Sequence, residues 1–498
     1  MRHLTLFALV KKTVLTLVVL ALCFFIGRIY QSEQGAPLHR WHTWSADEMS
    51  PDEIDHASFA DYLSREEAIF RDMKTSLNGT LRADEKTAMN RYSAQSQVYP
   101  ARFKPDWNRS FILLPDGKPV GAAVLLHGLT DSPYSVRYLA EDYREKGFIA
   151  VVPRLPGHGT APGSLTAVNW ESWMATTRLA VREAMRLAGS PLPLHMVGYS
   201  NGGALAMKYA LESLDDSALT RPQQIVLLSP MVGVNGYARF AGIAGWPAWF
   251  PAFARTAWLN VLPEYNPFKY NSFPVNAARQ SWQLTQALQS QIVQLSRNGK
   301  LAALPPVLTF QSVTDATVST PAVVNALYHY LPVNGSRLVI FDINQAANIS
   351  ALFREALPGA VERLLPSAPR HYGTVVITNE TSSTLRAVAR VTSAGEVRVK
   401  TQPLALSWPQ DMFSLSHIAV PFPVNDSLYG LQPAAPGRFG ISLGAMALRG
   451  ESASLNVGAE AFMRATSNPF FDDMMARVNQ YIACSGQADY VACVKALP

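Results

Sequence analysis

Cysteine is scarce in this sequence, three residues in 498, and the few present narrow the chemistry at once. No C-x-x-C or H-E-x-x-H spacing occurs, so no metal site is indicated and none is expected. Cys23 lies in an apolar run, which leaves Cys484 and Cys493 as the pair in the polar remainder. A disulfide closing that short loop would fit an oxidising compartment. Runs of five or six like charges are also missing, and 43 Lys plus Arg against 37 Asp plus Glu leave a net charge of only +6. Nucleic acid is therefore not an expected partner. Charged residues make up 16% and hydrophobic ones 48%, which excludes disorder and points to a globular chain with an apolar surface or a membrane contact. No internal repeat is evident.

Long apolar stretches are confined to the N-terminus. Lys11 and Lys12 precede a run from Thr13 to Gly27 that Arg28 closes, and Leu4 to Val10 adds apolar length. The run is short of the roughly 20 residues of a full span, but the preceding segment or tilting covers the gap. No A-x-A site follows it, so residues 1–30 read as an uncleaved signal anchor rather than a removed leader. Leu22 is too large for the position before a lipidated cysteine, which sets aside Cys23 as a lipid attachment site. Positive charge before the span implies that the rest of the chain lies on the non-cytoplasmic side, with the periplasm as the expected compartment.

Residues 31–105 read as a helical stalk, with pieces such as Ser50 to Leu63 and Arg65 to Leu77. Residues 106–345 alternate strand and helix: Phe111 to Leu114, Ala122 to Leu126, a helix from Ser135 to Lys146, Ile149 to Val152, a helix around Trp170 to Leu187, Leu194 to Val197, Ile225 to Leu228, Val307 to Phe310 and Leu338 to Phe341. This rhythm predicts a mostly parallel sheet covered on both faces. Residues 232–300 carry Phe240, Trp246, Trp249, Phe250, Phe253, Trp258 and Phe268, and are expected to form a helical lid over the carboxyl ends of the strands, where ligands bind. Any single aromatic there can equally fill the lid's own core. Residues 346–410 read as a small β-rich insertion with strands at Thr374 to Ile377, Leu385 to Val391 and Glu396 to Lys400; residues 411–498 return to the core and end in a helix.

The chemistry centres on Gly198-Tyr199-Ser200-Asn201-Gly202, a serine between glycines after an apolar run and before a helix-like segment. A hydroxyl is a weak nucleophile unless a base takes its proton and backbone N–H groups face the developing oxyanion. A sharp strand-to-helix turn supplies that setting, and small flanking residues let it close. Asp315, directly after the strand ending at Phe310, is the candidate acid. A capping role is less suited to it, because Thr320 and Pro321 already supply an N-cap and first turn. Of the histidines that follow, His329 falls in a predicted helix over Ala322 to Leu331. The loop after Leu338 to Phe341, Asp342-Ile343-Asn344-Gln345-Ala346, contains none. The insertion must then have displaced the base, to His417 where the chain returns, with His371 ahead of the inserted strands as the alternative. His127-Gly128-Leu129-Thr130 follows a strand, so Leu129 and Asn201 are the expected oxyanion donors, with His127 buttressing the loop.

His127-Gly128, Gly157-His158-Gly159, the 198–202 elbow and Asp315 together resemble the α/β-hydrolase superfamily, and within it the monoacylglycerol lipase, lysophospholipase and carboxylesterase group that also takes in serine aminopeptidases. The resemblance covers about Gly121 to Phe341 and resumes around Phe413 to Tyr481. It implies an α/β-hydrolase fold and acyl transfer from an ester through Ser200, His417 and Asp315, with no cofactor. An acyl-lipid ester is the favoured substrate. A serine aminopeptidase is the enzymatic alternative, with Glu264 the one acid suggestive of an α-amino contact. A silent scaffold binding a partner through the β insertion is the alternative of another class.

Overall fold

A computed structural model describes residues 2–189, 191–233, 245–348, 350, 355, 357–446 and 467–497. Among the described residues there are twelve strands: β1 Phe111–Leu113, β2 Gly121–Leu126, β3 Phe148–Val152, β4 Leu194–Tyr199, β5 Gln224–Leu228, β6 Trp258–Asn260, β7 Phe273–Pro274, β8 Val307–Ser312, β9 Arg337–Phe341, β10 Gly373–Asn379, β11 Arg386–Thr392 and β12 Lys400–Ser407. Ten form one sheet in the order β1-β3-β2-β4-β5-β8-β9-β10-β11-β12, and β6 and β7 make a separate ribbon. From β3 through β10 the pairing is parallel, while β1, β11 and β12 run antiparallel to their neighbours.

The parallel strands are mostly apolar and buried along nearly their whole length because both faces are covered. Along β2, Ala122, Val124 and Leu126 enter one core while Ala123 and Leu125 enter the other, the period of two that a strand imposes. Helices α6 (Trp170–Ala188), α7 (Asn201–Asp215) and α8 (Val275–Arg297) supply the first core. Helices α5 (Arg137–Glu145) and α9 (Phe471–Cys484) supply the second. Cys484 and Cys493 form a disulfide across the turn from α9 to α10 (Tyr490–Ala496), as the spacing suggested.

Residues 31–105 lie against the core. Helix α2 is Arg40–Thr43, and the expected Ser50 to Leu63 piece is two helices, α3 (Pro51–His56) and α4 (Phe59–Ser76). The break follows from capping: Ser50 pairs with Glu53 and Ser58 with Asp61, each serine accepting from the N3 backbone, so two helix starts compete for one stretch. The contact with the core is partly ionic. Arg154, buried, donates to Glu48 at 2.7 and 2.9 Å and to Glu66 at 3.1 Å.

Three expectations on the strands and lid change. Strands β10 to β12 are no detached attachment: β10 pairs parallel to β9, burying Val375 and Ile377 in the second core, so the insertion lengthens the central sheet. The third inserted strand begins at Lys400 and not at Glu396; it is the sheet edge, where Pro403 is tolerated because no partner needs its N–H. Helix α8, counted above with the lid, covers the sheet through Leu284, Leu288, Ile292 and Leu295. The cap proper is thus shorter, and its residues 234–244, with Phe240, fall outside the described residues, as does the side chain of Trp246. Of the other cap aromatics, Trp258 and Phe268 are buried and Trp249 and Phe250 are exposed.

Candidate active site

Ser200 stands at the carboxyl end of β4, one residue before α7. Its backbone has φ 55° and ψ −116°, a region that costs a non-glycine residue about 1–3 kcal/mol. The neighbours hold it there: Ser200 N–H donates to Leu228 O at 2.9 Å, and Ser200 O accepts from Met231 and Gly203 N–H at 2.9 and 3.0 Å. Close approach explains the glycines. A Cβ at Gly202 would overlap the Leu126 carbonyl oxygen and one at Gly198 the Gly202 carbonyl oxygen, so α7 could not start so near β2 and β4.

Three sequence-predicted residues meet here. His417 Nε2 lies 2.9 Å from Ser200 Oγ, and His417 Nδ1 lies 2.8 Å from Asp315 Oδ2. Asp315 sits in the turn after β8, where its Oδ1 also accepts from the N–H groups of Thr317 and Val318 at 2.8 and 3.0 Å. Burial alone would raise its pKa, but the His417 charge and hydrogen bond and those two N–H groups hold the carboxyl below its ordinary value of 3.8. A carboxylate thus faces Nδ1, which fixes the proton there and leaves Nε2 free to accept from the serine. The cap assignment beside Asp315 shifts by one residue: Ser319 is the N-cap of the helical turn at Thr320–Ala322, while the Thr320 hydroxyl donates to Ser312 O.

The alternatives are engaged elsewhere. His371 Nε2 bonds Tyr328 O at 2.8 Å, and the ring of His329 packs edge-on to Tyr330. The predicted helix carrying His329 is an irregular run of π and 3₁₀ turns. Glu264, buried, accepts from Asn271 and Ser272 N–H at 3.0 and 2.8 Å; both oxygens serve the cap's own backbone, so the α-amino contact suggested for it is overturned.

The 127–131 loop lies beside the elbow, since a Cβ on Gly128 would be 3.2 Å from Ser200 Cβ. His127 Nδ1–H donates to Gly128 O at 3.0 Å and Nε2 accepts from Leu155 N–H at 3.1 Å. Burial pushes His127 down to about 3, so it is a neutral brace for this loop. The N–H groups of Leu129 and Asn201 take no part in the turn, cap or loop bonding of the described residues. Lys269 and Tyr270 of the cap steady the loop, with Lys269 Nζ 3.0 Å from Thr130 Oγ1 and Tyr270 N–H donating to Thr130 O at 2.7 Å.

How a histidine more than two hundred residues beyond the serine reaches it rests on two residues the sequence reading did not single out. Asn344, in the loop after β9, is buried and fully bonded. Its N–H donates to Phe413 O at 2.8 Å and its Nδ2 to Pro409 O and Met412 O at 3.1 and 2.8 Å. Its Oδ1 accepts from Asn379 Nδ2 at 2.9 Å. The segment returning from the inserted strands is thereby clamped to the end of β9, four residues before His417. Past the histidine, buried Asp426 accepts from Tyr134 and Tyr138 hydroxyls, from Leu428 and Tyr429 N–H, and from Arg137 in a buried ion pair. An amide at the end of an apolar strand was the one signal for Asn344. Asp426 lies in irregular chain without any periodic signal.

Parts of this chain are similar to known proteins. A family model described as serine aminopeptidase, S33, matches residues 117–342. A thermostable monoacylglycerol lipase of Bacillus sp. (strain H-257) is 33% identical over 92 residues, 18% of this chain and 35% of that lipase, so the match spans about a third of the relative's length. Among solved structures, one from the metagenome-derived lipolytic enzymes LipS and LipT is 21% identical, covers 52% of this chain and 97% of that one, and has a TM-score of 0.38. A soluble variant of monoglyceride lipase from Saccharomyces cerevisiae is 12% identical, covers 46% and 81%, and has a TM-score of 0.37.

Proposed function

We propose, for a chain that belongs to the α/β-hydrolase superfamily, that it is a serine hydrolase cleaving carboxylic esters of acyl lipids. The observation that carries this reading is the unbroken relay from Ser200 Oγ through His417 to Asp315, at 2.9 and 2.8 Å. His417 takes the hydroxyl proton as Ser200 attacks the ester carbonyl, Asp315 holds the imidazolium, and the N–H groups of Leu129 and Asn201 receive the oxyanion. The imidazolium then protonates the departing alcohol, and water activated by His417 releases the acid. None of these steps calls on a cofactor. A monoacylglycerol lipase among the relatives supports a lipid ester as substrate.

The apolar helix α1 (Arg2–Glu33), long enough to cross a membrane from Leu9 to Glu33, is read as an anchor. Lys11 and Lys12 before its apolar core favour a non-cytoplasmic catalytic domain, which the Cys484–Cys493 disulfide supports. A fluorophosphonate probe tests the nucleophile. The full-length protein is expected to label, and Ser200→Ala to label no more than background; labelling that survives in the variant overturns the reading. The family description keeps one alternative, a serine aminopeptidase. Faster turnover of aminoacyl anilides than of p-nitrophenyl acyl esters would decide for it.

A further inference from the structure

We infer that the cap is part of the membrane attachment: its segment from Trp249 to Leu259 and the end of α1 form one surface seated on a lipid bilayer, which delivers the ester to Ser200 from the lipid phase. The bilayer seat is read from anchor and cap alone, and only the delivered substrate rests on the ester-hydrolase reading.

From Leu9 to Phe24 every side chain of α1 is exposed, and lipid is the solvent that suits this apolar run. Where the apolar run ends, the helix is bonded to the cap. Arg28 donates to Trp258 O and, at 3.4 Å, to Thr256 O. Arg255 Nη1 returns the contact, 2.9 Å from Glu33 O and 3.3 Å from Glu33 Oε2. Arg28 and Glu33 are five residues apart, about 7.5 Å of helix, comparable to the headgroup layer of roughly 5–8 Å on each side of the hydrocarbon. The cap residues bonded to them therefore stand at the depth of the headgroups.

At that depth the cap exposes what an interface takes. Trp249 is 88% exposed, Phe250 66% and Leu259 46%, three large apolar side chains within eleven residues. The core interior of the cap is satisfied without them, by Trp258 against His42 and Phe268 against Tyr134. Tryptophan and phenylalanine with flanking arginine are the composition of an interfacial segment. A soluble protein partner would leave the same patch hard against the bilayer that holds α1, so the lipid surface is the occupant.

The same segment continues to the reaction centre. From Trp258 the chain runs through β6 to Lys269, which donates to Leu129 O and Thr130 Oγ1, and Tyr270, whose N–H donates to Thr130 O, and then into β7. Anchor, interfacial aromatics and oxyanion loop are thus linked by one short stretch of chain.

The test uses the full chain in nanodiscs of phosphatidylcholine and phosphatidylglycerol. In a Cys23→Ser background, Phe250→Cys and, as control, Val397→Cys beside the sheet edge are labelled with an environment-sensitive dye. Emission at 250 is expected to shift to the blue and to be quenched by brominated lipids, while that at 397 is not. Equal emission and quenching at both sites overturns the bilayer seat, whatever the enzyme's activity. For delivery, Trp249→Ser combined with Phe250→Ser is expected to lower, by roughly tenfold, the ratio of turnover of a nanodisc-embedded monoacylglycerol to that of soluble p-nitrophenyl butyrate. An unchanged ratio overturns delivery, and a wild-type protein that turns over neither ester refutes the hydrolase reading while the dye still reports on the seat.

Discussion

Ser200 and His417 are reacting partners 2.9 Å apart, yet the chain positions them in opposite ways. Ser200 is held by its neighbours in sequence: β4 brings it to the sheet's carboxyl edge, α7 leads away, and Gly198 and Gly202 let the turn close. Its long-range bonds, to Leu228 and Met231, come from the adjacent strand and the loop that follows it. His417 has no regular element of its own. It hangs between two polar clamps, Asn344 upstream and Asp426 downstream, and its ring lies against Tyr199 with centroids 5.3 Å apart. A nucleophile set by strand and turn is rigid by construction, whereas a base set by side-chain hydrogen bonds can be moved by removing one of them. The inserted strands make this arrangement possible, because they carry the chain away from β9 and return it where Asn344 can catch it.

The sharpest way to break the pair is to remove the base. His417→Ala is expected to lower turnover by about 10⁴- to 10⁶-fold, as for members of an interdependent triad, with the thermal midpoint little changed. His371→Ala, which loses a bond to Tyr328 O and an edge-on ring contact with Tyr372, should retain turnover. A reversed outcome in steady-state assays would reassign the base.

Breaking the other side tests whether the elbow is as local as it looks. Gly202→Ala puts a methyl into the Leu126 carbonyl, and either α7 or β2 must move. A displacement near 1 Å at a reacting atom costs about 10²-fold, so fluorophosphonate labelling should slow by that order. Gly79→Ala, where an added Cβ meets nothing within 4 Å, should leave labelling intact.

Asn344 separates positioning from catalysis. Asn344→Ala frees the carbonyls of Pro409 and Met412 and leaves KM near its original value while kcat falls by about 10- to 100-fold. Asn344→Asp supplies only acceptors where two carbonyls need a donor, and should fail to rescue; Asn344→Gln, with the same amide, should recover part of kcat. If all three variants lose stability and keep kcat, the clamp holds the fold and not the histidine.

Regions differ in how far the sequence betrays them for the same physical reason. Apolar runs such as Ala122 to Leu126 and Ile225 to Leu228 announce buried parallel strands because both of their faces must be covered. The elbow is legible because only small residues fit it, and Asp315 because it directly follows β8. The lid boundary misleads: α8 is amphipathic, and nothing in its periodicity distinguishes a helix covering a sheet from one covering a site. The sheet extension through β10 is hidden as well, since the pairing of Val375 with Val339 depends on a partner thirty-six residues away. Asn344 and Asp426 are polar residues in loops, and only tertiary contact separates them from solvated ones.

The smallest effect concerns the contact that fixes the histidine's tautomer. Asp315 has its folded pKa below 3.8, held there by His417 and by the N–H groups of Thr317 and Val318 against the opposing effect of burial. A carboxyl depressed in this way contributes stability that is complete above the unfolded value and is lost as pH falls through the lower folded one. The Asp315 contribution is therefore constant at neutral pH and disappears only below 3.8, in the same window where Nδ1 loses its acceptor. Thermal midpoints followed downward from pH 5 should fall more steeply in the parent protein than in Asp315→Asn, because the variant has no proton to take up there. Equal slopes would mean that Asp315 is not ionised in the folded protein. The tautomer of His417 would then have to be set by some other group than the one whose position beside Nδ1 is the best-bonded feature of the base's half of the site.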